Sequence, residues 1–120
     1  VNEINNTKKL TIWFVCGYKI DLNYLSKIMG ALFRSGSKRI MNDWSVALGH
    51  CLLASGKIES IISDDTEIYD FGAGKLIAME AGAKIIDLSG GAEKEYKNTR
   101  YIMSNLSETN EHILGIVKSL

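Results

Sequence analysis

Short, almost wholly apolar runs alternate along this chain with longer segments of helical period, and no proline interrupts either kind. That alternation constrains the fold more than any other feature. Strands without an apolar–polar alternation are buried on both faces, and helices are what cover them. KLTIWFVCG, residues 9–17, is rich in β-branched and aromatic side chains, stops at a glycine and predicts a buried strand. In the following IDLNYLSKIMGALFR, residues Leu22, Leu25, Ile28, Met29 and Leu32 keep helical spacing behind Asp21 as N-cap. SKRIMN predicts a short second strand. NDWSVALGHCLLASG predicts a helix capped by Asn42 or Asp43 and ended by Gly56. IESIIS, AKIIDLSGG and RYIMSN predict further strands. YDFGAGKLIAMEAG predicts a helix opened by Asp70 and closed by Gly82. SETNEHILGIVKSL predicts a last helix with Ile113, Leu114, Ile116, Val117 and Leu120 on one face. The expected architecture is α/β: one domain over residues 1–120, layered, with a mostly buried sheet and helices on both faces.

Composition excludes more than it assigns. Lys plus Arg and Asp plus Glu are 14 each, so the formal net charge is zero and no basic excess points to nucleic acid. No apolar run approaches the roughly 20 residues a membrane helix needs. The opening VNEINNTKK is polar and lacks the form of a signal peptide, as expected of a cytoplasmic chain. Cys16 and Cys51 lie inside apolar stretches and are expected to be reduced, buried thiols. His50 and His112 have no Cys or His at ligand spacing, which argues against zinc.

The GAGK at residues 72–75 looks like the end of a phosphate-binding loop, and it fails the test. G-x-x-x-x-G-K-[ST] would put a glycine at Tyr69 and a hydroxyl at Leu76, and G-x-G-x-x-G would need a glycine at Ile77. What remains is Asp70 before a small-residue helix. From local sequence it is a helix cap whose charge suits the positive end of the helix dipole. Gly72, Ala73, Gly74, Ala78, Ala81 and Gly82 let that helix lie close to a neighbour.

The whole stretch YDFGAGKLIAMEAGAKIIDLSGG resembles the C-terminal signature of the inositol monophosphatase family, including its bacterial extragenic-suppressor type. Tyr69-Asp70, Gly72-Ala73-Gly74, Glu80-Ala81-Gly82, Asp87 and Gly90-Gly91 follow in the family's order. SVALGHCLLASGK is similar to the family's preceding helix, and RYIMSN to its final strand. The resemblance implies half of a layered αβαβα sandwich of about twice this length. It implies a Mg²⁺-dependent phosphomonoesterase acting on a small phosphate ester, with Asp70 as a metal ligand, a role compatible with capping.

The resemblance also implies substrate contacts at Ser45, which keeps the family's hydroxyl, and at Ser63, where the family has an acid; Asp64 and Asp65 stand beside it, and the alternative for SDDTE, residues 63–67, is a solvated turn between strand and helix. Trp44 replaces a family glycine, and Glu67-Ile68 replace the usual Lys-Pro. The family's first-half motifs, a helical Glu and Asp-Pro-apolar-Asp-Gly-Thr, do not occur in this sequence. One carboxylate cannot hold the metal ions, clamp a phosphate and activate a water. The chain is therefore expected to be a C-terminal domain, inactive alone. The alternative is a non-catalytic protein-interaction module linked to transcription or RNA processing. Apolar surface left by a missing half would favour a homo-oligomer.

Overall fold

The computed structural model describes residues 1–64, 72–93 and 95–120. In chain order the elements are β1 (Thr11–Cys16), α1 (Leu22–Arg34), β2 (Arg39–Asn42), α2 (Val46–Ala54) and β3 (Ser60–Asp64). There follow α3 (Gly72–Glu80), β4 (Lys84–Asp87), β5 (Tyr101–Ser104) and α4 (Ser107–Lys118). The strands form one sheet in the order β2-β1-β3-β5-β4. β1 pairs in parallel with β2 and β3, while β5 runs antiparallel to β3 and β4.

Strand side chains alternate between faces, so each central strand feeds two cores. Trp13, Val15, Ile61, Tyr101 and Met103 point to one face and pack with Val46 and Leu53 of α2 and Ala78 of α3. Ile12, Phe14, Ile62 and Ile102 point to the other and pack with Ile28 and Leu32 of α1 and Ile113 and Leu114 of α4. Helices thus cover both faces, as the run-on apolar strands require. Each fully buried Ile or Phe contributes roughly 1.5–3 kcal/mol. The edge strands β2 and β4 are only partly covered.

Asp21 caps α1, accepting the Asn23 N–H at 2.8 Å. At α2 the cap is Ser45, not Asn42 or Asp43: Ser45 Oγ accepts the Leu48 N–H at 3.2 Å. The reason lies upstream. Asp43 N–H donates to the Phe14 carbonyl at 3.1 Å, which keeps the chain extended, and Asp43 Oδ1 takes the Ser45 N–H at 2.9 Å. Gly56 and Gly82 end α2 and α3 at φ of 78° and 102°, a left-handed turn that favours glycine.

The cysteines are free but not both buried. Cys51 is exposed and Cys16 is half-buried. On α2 the buried stripe is Val46, Gly49, His50 and Leu53, and that spacing turns Cys51 to solvent. The small residues serve close approach, as expected. A Cβ on Gly74 would lie 2.7 Å from His50 Nδ1, and one on Gly49 would lie 2.6 Å from the Trp13 ring.

Candidate functional site

β1 to β4 point one way, so their carboxyl ends share one edge of the sheet, and β5 begins at that edge. The edge gathers the Gly17–Ile20 turn, Asp43 to Ser45, Asp64, Asp87 to Ser89, and Asn98 to Arg100. The chain leaves β1 through α1 on one face, toward β2. It then leaves β2 through α2 on the other face, toward β3. β1 leads to α1 on one face and β3 leads to α3 on the other, so a crevice of the kind where α/β sheets bind ligands opens between their ends.

That crevice has a volume of about 350 Å³ and is lined by Gly17, Lys19, Ile20, Asp64 and Arg100. Asp64 Oδ1 accepts Arg100 Nε at 3.0 Å; the carboxylate is 10% exposed and the guanidinium 56%. Burial, reinforced by the Asp64 charge, pushes the Cys16 thiol above its usual pKa. A second hollow of about 400 Å³ lies along the β4–β5 connection, lined by Asp87, Ser89, Gly90, Ala92, Glu95 and Asn98. Hydrogen bonds from the Ser89 hydroxyl and backbone, and from Asn98 Nδ2, hold the Asp87 carboxyl below its usual range.

Ser45 sits at this edge as the α2 cap, and its carbonyl accepts Trp13 Nε1 at 3.0 Å. Ser63 and Asp64 are consecutive on β3 and so face opposite sides of the sheet. Ser63 is buried, with Oγ donating to the Thr99 carbonyl at 2.9 Å. Asp64 faces the crevice. The structure therefore separates the two residues that adjoin in sequence. Asp70, with Asp65, lies outside the described residues. Among the described residues, no three His, Cys, Asp or Glu side chains come together to hold a metal ion.

Behind the edge lies a buried polar cluster that sequence reasoning missed. Lys75, wholly buried on α3, pairs with Glu93 and donates to the carbonyls of Tyr96 at 2.9 Å and Asn98 at 3.3 Å. Its ammonium stands 4.5 Å from the centre of the Tyr101 ring and 5.3 Å from that of Tyr96. Burial pulls the Lys75 pKa down, and the Glu93 partner acts against it. His50 Nε2 meets Tyr101 Oη at 2.8 Å. Burial, and then the Lys75 charge, pull the His50 pKa down to about 4, so it is neutral at pH 7. The signal in the sequence was a single cation inside the otherwise small and apolar GAGKLIA.

Residues 19–120 match the model of the inositol monophosphatase family. Nus factor SuhB of Vibrio cholerae is 34% identical over 67 residues, which are 56% of this chain and 25% of that protein. Among solved structures, the IMPase of Thermotoga maritima superposes with a TM-score of 0.82 at 21% identity, covering 99% of this chain and 44% of its own. The extragenic suppressor protein suhB of Bartonella henselae gives 0.84 at 19%, covering 98% and 45%. SaIMPase-II with inositol monophosphate bound gives 0.75 at 18%, covering 98% and 46%. The chain thus spans under half the length of these structures, and it belongs to the inositol monophosphatase family.

Proposed function

We propose that this chain is the C-terminal half of a cytoplasmic, Mg²⁺-dependent phosphomonoesterase that hydrolyses a small phosphate monoester such as an inositol phosphate. The observation that carries the reading is a family match over residues 19–120 in a chain spanning under half the length of its structural neighbours. Asp70 is the proposed metal ligand. The described residues do not by themselves fit a Mg²⁺ site, since no three ligating side chains converge among them. The remaining ligands are proposed to come from an N-terminal half. This chain's contribution is to present the carboxyl edge. The Ser45 cap fixes the start of α2, the Asp64–Arg100 pair fixes the end of β3 against the start of β5, and the Lys75 cluster holds α3 to the β4–β5 connection. Ser45, Ser63 and Asp64 are proposed on the substrate side; Ser63, buried and bonded to Thr99, acts by orienting that turn.

The test is to supply an N-terminal half and assay inositol monophosphate hydrolysis with Mg²⁺. Activity is expected only with both halves, falling more than about tenfold in Asp70→Asn. Activity indifferent to Asp70 would sink the ligand assignment.

A second reading has its own support. α3 exposes Leu76, Ile77 and Met79 on one short helix, and a relative carries the name Nus factor. A protein-interaction module, or self-association through that apolar face, accounts for the exposure. Sedimentation showing only monomer, with no change in association for Leu76→Ser, rejects self-association. Hydrolysis by the two-half enzyme at a normal rate, with no captured partner, rejects the module.

A further inference from the structure

We infer that residues 96–100, the end of the β4–β5 connection, form a clamp that holds together the two ends of the β3–α3 connection. That connection, residues 65–71, lies outside the described residues, but the residues on either side of it are described. The end of β3 is gripped by Thr99 and Arg100. The Thr99 carbonyl accepts Ser63 Oγ at 2.9 Å, and Arg100 Nε donates to Asp64 Oδ1 at 3.0 Å. The start of α3 is gripped by Tyr96 and Asn98. Tyr96 Oη donates to the Gly72 carbonyl, and the carbonyls of Tyr96 and Asn98 accept Lys75 Nζ at 2.9 and 3.3 Å. Glu93, earlier in the same connection, pairs with that ammonium.

The two grips act as one body because Asn98 braces them. Its Oδ1 accepts the Arg100 N–H at 3.0 Å, and its Nδ2 donates to the Arg100 carbonyl at 2.9 Å and to Asp87 Oδ1 at 2.8 Å. The Leu88 N–H reaches the same Arg100 carbonyl at 3.1 Å. The brace therefore closes the turn on itself and ties it to the end of β4. On its other side α3 is backed by α2, where a Cβ on Gly74 would stand 2.7 Å from His50 Nδ1. A segment whose two ends are held at one separation has fewer conformations open to it. Tyr96, Asn98 and Arg100 are thus positioning residues for the connection 65–71. On the phosphatase reading, on which this consequence alone rests, the residue they position is Asp70.

The clamp is tested in the chain itself by backbone amide NMR. Tyr96→Phe removes only the hydroxyl of a half-exposed side chain, so the fold is kept. It is expected to shift the amide signals of Ser63, Asp64 and residues 65–71, and to speed their exchange with solvent by about fivefold, as for the loss of one net hydrogen bond. Asn98→Ala is expected to move both grips, and in its background Tyr96→Phe should no longer reach Ser63 and Asp64. Thr109→Ala, which loses a bond to Asn105 at the opposite edge of the sheet, should leave residues 63–72 unmoved. Shifts confined to Tyr96 and Gly72, transmission that survives Asn98→Ala, or an equal response to Thr109→Ala would overturn the clamp. With an N-terminal half supplied, Tyr96→Phe is expected to lower kcat for inositol monophosphate about tenfold with KM nearly unchanged, and an unchanged kcat would overturn the link to Asp70. A two-half enzyme without activity in any form would count against the phosphatase reading, and the amide signals would still decide the clamp.

Discussion

The two ends of the sheet are built from similar residues and put to opposite use. At the amino edge, most polar side chains satisfy one another. Glu59, 3% exposed, accepts the Thr11 N–H at 2.6 Å and Asn2 Nδ2 at 2.9 Å. Asn105 Nδ2 bonds Asn2 Oδ1 and the Ile4 carbonyl, both at 2.8 Å, and Thr109 Oγ1 donates to Asn105 Oδ1 at 2.8 Å. Asn110 Nδ2 closes on the Lys84 carbonyl at 3.1 Å, while its buried Oδ1 has no hydrogen-bond partner among the described residues. At the carboxyl edge, Trp44 is 84% exposed, Lys19 stands unpaired among the described residues, and Arg100 spends one nitrogen of three. Largely satisfied polar groups at one end lock strands and first residues together. Unspent ones at the other end are capacity for a ligand, and they add little to stability.

An open edge has to rest on a stiff base, and Lys75 supplies the sharpest test of that. Lys75→Met keeps the stem but removes the cation, leaving Glu93 buried without its partner. Removing one member of a buried pair costs about 3–5 kcal/mol, so the urea midpoint should fall steeply. Replacing both, Lys75→Met with Glu93→Leu, should recover much of the loss. A single variant that costs under about 1 kcal/mol would show that the base is not held by this pair.

The same base titrates. His50 has a pKa of about 4 when folded against 6.5 when exposed, so between those values the unfolded chain binds the extra proton. Stability therefore falls as pH drops from about 6.5 to about 4, by about 3 kcal/mol in all. Denaturation midpoints compared at pH 7 and pH 5 should show part of this loss, and His50→Phe should remove it. An unchanged slope in that variant would assign the acid sensitivity elsewhere.

What the sequence reveals divides along the same line. The two-faced sheet was legible because β1, β3 and β5 carry apolar residues at consecutive positions, which makes both faces core. The Asp21 cap and the Gly56 and Gly82 stops were legible because each is a local backbone event. The cap of α2 was misplaced because a long-range bond, Asp43 N–H to Phe14, delays the helix. Burial of Cys51 was misjudged because an apolar run does not say which face of a helix meets the core. Lys75 was read as part of a failed phosphate loop. Its partner, Glu93, is 18 residues away, and only the β4–β5 connection brings it near. The same holds for Arg100, which meets Asp64 across 36 residues. Asp70, the residue that the family resemblance singles out, lies outside the described residues, so its role rests on that resemblance.

At the amino edge, Glu59→Ala leaves the Thr11 N–H without its acceptor and removes one of the two acceptors of Asn2 Nδ2, which keeps the Gly56 carbonyl at 3.0 Å. Hydrogen bonds to a buried charged group are worth about 1.5–3 kcal/mol, so a loss of about 2 kcal/mol is expected in urea denaturation. Its counterpart across the sheet is Arg100→Ala. That pair is half-exposed, and exposed ion pairs contribute about 0–1 kcal/mol. If the two variants cost the same, the contrast between a closed and an open edge fails.

The smallest effect belongs to the most exposed group. Trp44→Ala removes a large side chain that is 84% exposed and precedes the Ser45 cap without forming it. Its change in stability should stay within about 0.5 kcal/mol. Trp13, 2% exposed, provides the internal reference, since it packs in the core and bonds the Ser45 carbonyl. Acrylamide should quench the fluorescence of the chain in two populations, and Trp44→Ala should leave only the protected one. Quenching that is already slight in the unmodified chain would mean that Trp44 is covered in solution. The carboxyl edge would then be closed by association of the chain with itself, and the openness that separates the two edges would belong to the monomer alone.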